Sequence, residues 1–343
     1  MQVINSALLS FGMSGRVFHA PFLELHPGFQ LLGSWERSKK QIQALYPHAK
    51  SYGSIEEVLA DENIDLVVVN TPTFTHFEYA KKALEAGKHV IVEKAFVGST
   101  AEAEELRDLA AAKGLKVSVF QNRRWDSDLK TVKSILDEGQ LGRIVEARIA
   151  FDRFRPKLSP KTHKEKPSSG AGIIKDLGAH VIDQALYLFG MPKNVFADIG
   201  ITREGSEVDD YFDILLKYED KRVHVHGGYF FRQPLHEFAL FGSEGSFLKT
   251  RADVQEDQLQ LGMKPNEPTY GIEPKVAQGT LHTAMYKRQV PTLPGNYMDF
   301  FEGVYQAITN NKQEPVTAQD GVNVMRIIDA AFESAKREVV VRL

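Results

Sequence analysis

The chain has 343 residues, of which 43% are hydrophobic and 25% are charged, a composition typical of a globular protein with room for two domains. Its formal net charge of -3 gives no reason to expect nucleic acid or an anionic membrane as a partner, and no apolar run approaches the roughly 20 residues that span a bilayer. The absence of cysteine excludes disulfides and thiolate chemistry, and the N-terminus lacks a signal-peptide pattern, so we expect a cytoplasmic protein without a metal centre.

Short apolar runs alternate with helical patterns over the first third of the chain. The predicted strands are 3–9, 29–35, 64–70, 89–92 and 116–120, and the predicted helices between them are 15–25, 38–46, 54–60, 76–86 and 101–113. Apolar strands separated by helices are typical of a parallel sheet that is covered on both faces. We therefore predict a doubly wound (Rossmann) α/β domain over residues 1–121 that binds a dinucleotide.

Longer alternating segments follow in the rest of the chain. The predicted strands are 144–153, 195–202, 211–218, 223–231 and 236–242, and the predicted helices are 129–137, one that contains Asp176 and ends at Gly190, 297–310 and 319–336. Such alternation indicates a sheet with one face exposed to solvent or to a partner. We predict an α+β domain over residues 122–343, built on a large, mostly antiparallel open sheet. It would bind the substrate and form a homodimer or homotetramer through this sheet.

A glycine turn, SFGMSG, follows the first predicted strand. The dinucleotide fingerprint needs small residues at this point, so that the backbone can approach a pyrophosphate at a helix N-terminus. Gly12 and Gly15 occupy the second and third glycine positions, and Ser10 stands at the first. An ordinary strand-to-helix turn is the alternative. The candidate cofactor-binding residues here are Phe11, Gly12, Met13, Ser14, Gly15, Arg16 and Val17.

The end of the second predicted strand bears on the choice between NAD and NADP. Glu36 lies 21 residues after Gly15, where an acid would bond the ribose hydroxyls of the adenosine. Arg37 and the residues SKK at 38–40 follow at once and could hold a 2′-phosphate, unless they only form a solvated helix start. Glu36 and Arg37 are candidate cofactor-binding residues, and both cofactors stay open.

Polar residues also follow the third and fourth predicted strands, at the edge where a parallel sheet binds its ligand. A lysine there can hydrogen-bond a substrate hydroxyl and stabilise negative charge on its oxygen. A helix cap at Thr73, a structural histidine and a surface lysine are the alternatives. The candidate cofactor-binding residues of these ends are Asn70, Thr71, Pro72, Thr73, His76, Glu93 and Lys94.

Asp176 and His180 lie four residues apart on a predicted helix, a spacing that stacks a carboxylate over an imidazole. The carboxylate favours the imidazolium and determines which ring nitrogen carries the proton. The spacing therefore predicts a proton-transfer pair, and a plain helix-face hydrogen bond is the alternative.

Four segments resemble the Gfo/Idh/MocA oxidoreductase family and occur in the family's order: FGMSGRVFHAPF, NTPTFTH, AGKHVIVEKAF and DLGAHVIDQ. The segments QNRRWDSD and FDRFRP resemble the branch that contains NADP-dependent scyllo-inositol dehydrogenases. The resemblance implies an NAD(P)-dependent dehydrogenase that interconverts an alcohol and a ketone on a sugar or cyclic polyol, with a slight preference for NADP. A dinucleotide-binding regulator without chemistry, or a reductase of a non-sugar substrate, is the alternative.

The catalytic set that the resemblance implies is Lys94, Asp176 and His180. His180 would be the general base, Lys94 would polarise the reacting oxygen, and Asp176 would orient the histidine and bind a neighbouring hydroxyl. Ala95 stands where the family usually has a proline on a cis peptide, so the 94–95 bond is either trans with Lys94 displaced, or cis.

Residues near the predicted domain boundary complete the candidate site. Asn122 and Trp125 join the candidate cofactor-binding residues, and packing between the two domains is the alternative for Arg123 and its neighbours. The basic stretch 157–169 is either a lid or a solvated loop. The candidate substrate-binding residues are Arg124, Trp125, Arg153, Arg155, Asp176 and His180.

Overall fold

The computed structural model describes residues 2–160, 165–233 and 235–343. The chain forms two compact units, of which the first contains residues 1–122, 255–270 and 296–322. The second contains residues 123–254, 271–295 and 323–343. Two late segments, 255–270 and 296–322, thus lie in the first unit, whereas the sequence assigned them to the second domain.

The helices and strands are given in chain order. The strands are β1 (Ile4–Leu8), β2 (Phe29–Trp35), β3 (Lys50–Tyr52), β4 (Leu66–Val69), β5 (His89–Val92), β6 (Val117–Val119), β7 (Ile144–Ala150), β8 (Asn194–Gly200), β9 (Tyr211–Lys217), β10 (Arg222–Gly228), β11 (Phe238–Gly242), β12 (Gly245–Lys249), β13 (Gly279–Thr283), β14 (Lys287–Val290) and β15 (Val341–Arg342). The α-helices are α1 (Ala20–Leu25), α2 (Ile42–Leu45), α3 (Ile55–Ala60), α4 (His76–Glu85), α5 (Thr100–Lys113), α6 (Ser127–Asp137), α7 (Ala179–Phe189), α8 (Gln255–Gln260), α9 (Met298–Thr309) and α10 (Ala318–Arg337).

The first unit is built on a six-stranded parallel sheet in the order β3-β2-β1-β4-β5-β6. All four residues of β4 are buried, as the run of apolar, β-branched residues predicted. The doubly wound α/β domain is thereby confirmed. Because the strands are parallel, the carboxyl ends of β1, β4 and β5 meet at one edge of the sheet.

Aromatic packing explains why α9 belongs to the first unit. The Phe301 ring stacks on the Phe22 ring with centroids 5.0 Å apart, and the Phe300 ring meets the edge of Phe120 at 5.0 Å. A Cβ at Gly28 would lie 2.3 Å from the Tyr305 ring, so this backbone also needs a glycine to let α9 approach. Because these rings lie far apart in the sequence, no local pattern predicted that they pack together.

The second unit contains a nine-stranded sheet in the order β14-β13-β12-β11-β7-β10-β9-β8-β15. Strands β7 and β10 pair in parallel, and every other pairing in this sheet is antiparallel. The predicted mostly antiparallel sheet is confirmed. In the described residues, no helix is both long and apolar enough to cross a membrane. Nor does that part of the chain hold a group of acidic or histidine side chains that could bind a metal ion.

Candidate active site

The turn after β1 has the shape that a dinucleotide phosphate needs. A Cβ at Gly15 would lie 2.4 Å from the Ser10 carbonyl oxygen and 3.0 Å from the Asn70 amide nitrogen, so no side chain fits there. A Cβ at Gly12 would meet only the Ser10 hydroxyl, at 3.5 Å. The space in front of Gly12 is therefore open to a ligand, and the backbone there fits a pyrophosphate.

Ser10, which replaces the first glycine of the fingerprint, is part of this turn. Its hydroxyl accepts a hydrogen bond from the Gly12 N–H at 3.3 Å, and its carbonyl accepts one from the Asn70 side chain at 2.8 Å. The helix that follows begins as a π-helix over Gly15–His19 and continues as α1. Asn70 thus links the end of β4 to the turn after β1.

The other predicted residues of the turn divide by exposure. Phe11 and Val17 are buried, with 3% and 9% of their surface exposed, so their side chains pack inside the first unit. Met13 and Arg16 are exposed. Met13 and Arg16 can therefore offer a ligand their side chains, whereas Phe11 and Val17 can offer it their backbone.

The Glu36 carboxylate, which the sequence places where a ribose would bind, bonds backbone N–H groups of its own unit. Glu36 is 6% exposed, and its two carboxylate oxygens accept the backbone N–H groups of Gln41, at 2.9 Å, and Ile42, at 3.0 Å. These bonds satisfy donors at the start of α2. The exposed Arg37 and Lys39 lie between Glu36 and that helix, whereas the Lys40 ammonium donates to the Tyr52 carbonyl at 2.7 Å.

Glu93, the residue before Lys94, joins two strand ends of the first unit. Its Oε1 accepts from the Ser14 hydroxyl and lies 3.0 Å from His19 Nε2, and its Oε2 accepts from the Lys94 N–H at 3.2 Å. Burial opposes ionisation of Glu93, but His19, Ser14 and the Lys94 charge outweigh it and hold its pKa below the ordinary value. Glu93 therefore anchors Lys94 to the helix after the glycine turn.

The loop after β4 is organised by its own polar groups. The Thr71 and Thr75 hydroxyls lie 2.6 Å apart, and the Thr75 hydroxyl donates to the Pro72 carbonyl at 2.7 Å. Pro72 is exposed, and Thr73 begins a 3₁₀ turn over Thr73–Thr75. His76 is buried, and both of its ring nitrogens lie within hydrogen-bond distance of backbone carbonyls. The Lys94–Ala95 peptide is cis, which decides between the two states that the sequence left open.

In the second unit, Asp176 and His180 lie on consecutive helical segments. Asp176 belongs to a π-helix, Ile174–Gly178, and His180 is the second residue of α7. Asp176 is half-buried and His180 is 5% exposed. The predicted helix through both residues is present and ends at Phe189, with Gly190 following at a φ of 73°. A π-helical turn inside a helix is frequent at functional sites.

Tyr229 adds a group that the sequence did not single out. Burial and the nearby Asp176 carboxylate raise the pKa of Tyr229 to about 12, against the opposing charges of Arg203, Arg153 and Arg155. The Arg203 guanidinium lies 4.6 Å from the Tyr229 ring centroid, and Arg203 is itself held by Glu165 and Asp210 at 2.8 and 2.9 Å. A single tyrosine after a strand does not indicate a functional residue in the sequence. Its proximity to Asp176 became known only from the structure.

The predicted arginines differ in what they contact. Arg124 is 9% exposed and binds the Asp183 carboxylate through two nitrogens, at 2.9 and 2.7 Å. Arg153 lies with its guanidinium 4.8 Å from the Phe151 ring, and Arg155 is exposed. The contact between Arg124 and Asp183 lies within the second unit. Residues 161–164 of the predicted loop 157–169 lie outside the described residues.

Asn122 and Trp125 lie in the 3₁₀ turn Asn122–Trp125 that precedes α6. Asn122 is buried, with 6% of its surface exposed, and Trp125 is half-buried. Within the first unit, the fold thus brings together Ser14, Asn70, His76, Glu93 and Lys94. Within the second unit, it brings Asp176 close to Tyr229.

A parallel doubly wound sheet with an open glycine turn after its first strand defines a dinucleotide-binding α/β protein. Residues 4–121 match the model described as "Oxidoreductase family, NAD-binding Rossmann fold", and residues 133–343 match "Oxidoreductase family, C-terminal alpha/beta domain". The chain belongs to the Gfo/Idh/MocA family of oxidoreductases.

Individual relatives align over the whole chain. Scyllo-inositol 2-dehydrogenase (NADP(+)) IolW of Bacillus subtilis is 34% identical over 100% of this chain and 97% of its own. The uncharacterized oxidoreductase YdgJ of Escherichia coli is 36% identical over 99% of each chain. A crystal structure of a Bacteroides fragilis protein is 43% identical over 100% of both chains, with a TM-score of 0.91.

Proposed function

We propose that this protein is an NADP-dependent dehydrogenase that interconverts an alcohol and a ketone on a cyclic polyol similar to inositol, or on a sugar. The observation that carries the proposal is the full-length similarity to a protein named scyllo-inositol 2-dehydrogenase (NADP(+)). Lys94, Asp176 and His180 supply an ammonium, a carboxylate and an imidazole, the groups that such a reaction needs.

The contacts of Glu36 support NADP over NAD. An acid at the end of the second strand favours NAD when its carboxylate bonds the ribose 2′-hydroxyl. Here both carboxylate oxygens accept backbone N–H groups at the start of α2, at 2.9 and 3.0 Å. The exposed Arg37, Ser38 and Lys39 follow it and offer two cationic side chains and a hydroxyl to a 2′-phosphate.

The proposed chemistry assigns one role to each residue. A bound nicotinamide ring supplies the hydride acceptor in oxidation and the hydride donor in reduction. His180 takes the hydroxyl proton during oxidation and returns it during reduction, because an imidazole can carry or release a proton near neutral pH. Asp176 orients that imidazole, and the Lys94 ammonium stabilises negative charge on the reacting oxygen. The glycine turn and Asn70 hold the phosphate-binding backbone in shape.

A substrate panel tests the proposal. The purified protein is mixed with inositols, other cyclic polyols and sugars, each with NAD and NADP, and the reduced nicotinamide is followed by its absorbance. We expect turnover with an inositol-like polyol and a higher kcat/KM with NADP. Tight dinucleotide binding without turnover across the panel would instead favour a regulator. Turnover confined to non-sugar carbonyls would favour the reductase alternative.

The role of His180 has its own test. His180→Ala is expected to lower kcat by about 10²–10⁴-fold, because general-base catalysis contributes that much. The affinity for NADP, measured by fluorescence titration, should stay within about twofold because His180 is not proposed to bind the cofactor. His48→Ala removes a half-exposed histidine paired with Glu24 and serves as the control. Unchanged turnover in His180→Ala would refute the assignment.

We also propose that the second unit forms a homo-oligomer through its sheet. Phe196 and Phe241 are 44% and 38% exposed, although both lie on strands of this sheet. Exposed aromatic side chains on a regular sheet face suit a self-complementary interface. Light scattering after gel filtration should give a dimer or tetramer mass, and Phe196→Glu should lower it. A monomer at micromolar concentration would contradict the proposal.

A further inference from the structure

The His76 side chain connects two loops of the first unit. It is the first residue of α4 and only 1% exposed. Its Nε2 lies 2.8 Å from the Thr71 carbonyl oxygen, in the loop after β4. Its Nδ1 lies 3.0 Å from the Ala95 carbonyl oxygen and 3.2 Å from that of Phe96, in the segment after β5. The imidazole thus contacts the two residues that follow Lys94.

Side chains and a backbone hydrogen bond hold the segment around Lys94. Residues 93–99 lie between β5 and α5 and form no helix or strand. On one side, the Lys94 N–H donates to the Glu93 carboxylate at 3.2 Å, and the Glu93 N–H donates to the Val69 carbonyl at 3.0 Å. On the other side, the Ala95 and Phe96 carbonyls face His76. His76 and Glu93 therefore hold the Lys94 backbone from both ends.

The tautomer of a neutral His76 determines which of its two ring nitrogens donates a hydrogen bond. Burial lowers the pKa of His76, and the Thr71 carbonyl, the Glu93 charge and the Ala95 and Phe96 carbonyls oppose that effect only in part. The folded protein therefore holds a neutral imidazole at neutral pH. A neutral imidazole has one N–H, and all three neighbouring atoms are acceptors. Two of the three carbonyls converge on Nδ1.

We propose that His76 is a positioning residue for Lys94 and acts through the hydrogen bond from its Nδ1 to the carbonyls of Ala95 and Phe96. The proposal rests on the proposed function in one respect, namely that Lys94 polarises the substrate oxygen. By fixing the peptides after Lys94, His76 limits where the lysine side chain can point. A supporting group of this kind decides whether a catalytic residue is placed accurately enough to act.

Two amide variants distinguish the roles of the two ring nitrogens. In His76→Asn, the amide nitrogen takes the place of Nδ1, whereas in His76→Gln it takes the place of Nε2. Lys88→Met is the matched control, because Lys88 is 7% exposed and also donates to a carbonyl of the first unit, that of Asp61 at 2.9 Å. Lys88→Met is expected to lower stability without changing the contacts of the segment after β5.

We expect the kcat of His76→Gln to lie about tenfold or more below that of His76→Asn, because misplacing a catalytic group by 1 Å can cost about 10²-fold. The KM for NADP should change less than about twofold in both. In a Lys94→Ala background, the difference between the Asn and Gln variants should disappear, since residues that act through one another are not additive. Equal kcat in the two variants would overturn the proposal.

A second readout does not depend on activity. Lysines are reductively ¹³C-methylated, and the Lys94 signal is identified by its absence in Lys94→Arg. We expect this signal to shift in His76→Gln and to stay in place in Lys88→Met. If it shifts while Lys94→Ala remains fully active, the positioning by His76 stands and the proposed role of Lys94 fails. If it is the same in the Asn and Gln variants, the positioning is refuted.

Discussion

The Arg124 guanidinium binds the Asp183 carboxylate through two parallel hydrogen bonds, from Nε to Oδ2 at 2.9 Å and from Nη2 to Oδ1 at 2.7 Å. Both side chains are buried, with 8% and 2% of their surface exposed. Asp183 lies on α7, three residues after His180. The pair therefore ties the helix that carries His180 to the 3₁₀ turn before α6.

Asp183→Asn should destabilise the protein, because it removes the negative charge that binds the buried Arg124 guanidinium through two nitrogens. We expect the free energy of unfolding, measured with urea, to fall by about 3–5 kcal/mol. The double variant Arg124→Met/Asp183→Leu should recover most of that loss, since it removes both charges. Glu219→Gln, in an exposed pair with Lys193, is the control and should give no measurable change. If Asp183→Asn unfolded at the same urea concentration as the wild type, the finding that this pair is buried and hydrogen-bonded would be contradicted.

Substitution by alanine should have different effects at the two glycines of the turn. Gly15→Ala places a Cβ 2.4 Å from the Ser10 carbonyl, so the backbone must move and the melting temperature should fall. Gly12→Ala meets only the Ser10 hydroxyl at 3.5 Å, so its melting temperature should stay near that of the wild type. Its affinity for NADP should nevertheless fall about tenfold or more, because the added methyl occupies the space where the pyrophosphate would approach. If Gly12→Ala bound NADP normally, the phosphate would not bind at this turn.

Cofactor preference should depend on Arg37 and Lys39 and not on the charge of Glu36. Arg37→Ala/Lys39→Ala should raise the KM for NADP about tenfold or more and leave the KM for NAD nearly unchanged. The effect should shrink at high salt, because these side chains are exposed. Glu36→Gln should leave the NADP to NAD ratio within about threefold, since the carboxylate bonds backbone N–H groups. Lys82→Ala, an exposed lysine on α4, is the control. Equal losses with both cofactors would contradict the assignment.

The lowered pKa of His76 predicts a loss of stability in mild acid. An unfolded histidine binds a proton as the pH falls through about 6.5, whereas the buried His76 resists protonation, so the unfolded state gains the proton first. Between pH 6.5 and 5.5, the wild type should lose more of its free energy of unfolding than His76→Asn, by up to about 1 kcal/mol. Glu93 does not interfere, because its pKa is lowered and it titrates at more acidic pH. Parallel urea curves at both pH values provide the measurement, and identical losses in the two proteins would contradict a neutral, buried His76.

The fold of the first unit could be predicted closely because its strands are apolar and lie between capped helices. Predicted strands 29–35 and 89–92 coincide with β2 and β5, and the helix predicted over 76–86 is α4. Strand β3 was not predicted, since it has only three residues and one of them is buried. A helix was predicted over 38–46, but the observed helix is only Ile42–Leu45. It begins there because the Glu36 carboxylate accepts the N–H groups of Gln41 and Ile42.

The second unit was predicted less completely. Strands β12, β13 and β14 were missed, because they are only four or five residues long and β14 is polar and lies at the sheet edge. Such strands form because a neighbouring strand supplies hydrogen bonds, and a short polar segment carries no periodic pattern. The helices predicted over 297–310 and 319–336 correspond closely to α9, which lies in the first unit, and to α10.

The sequence alone determined the doubly wound sheet, the open sheet, the glycine turn and the positions of Lys94, Asp176 and His180, because apolar periodicity and residue spacing are local properties. Only the tertiary structure decided what the polar side chains contact. It turned Glu36 towards α2, paired Arg124 with Asp183, and placed His76 against the carbonyls after Lys94. These contacts join residues brought together by folding, and a buried polar group must bond whatever partner the fold provides.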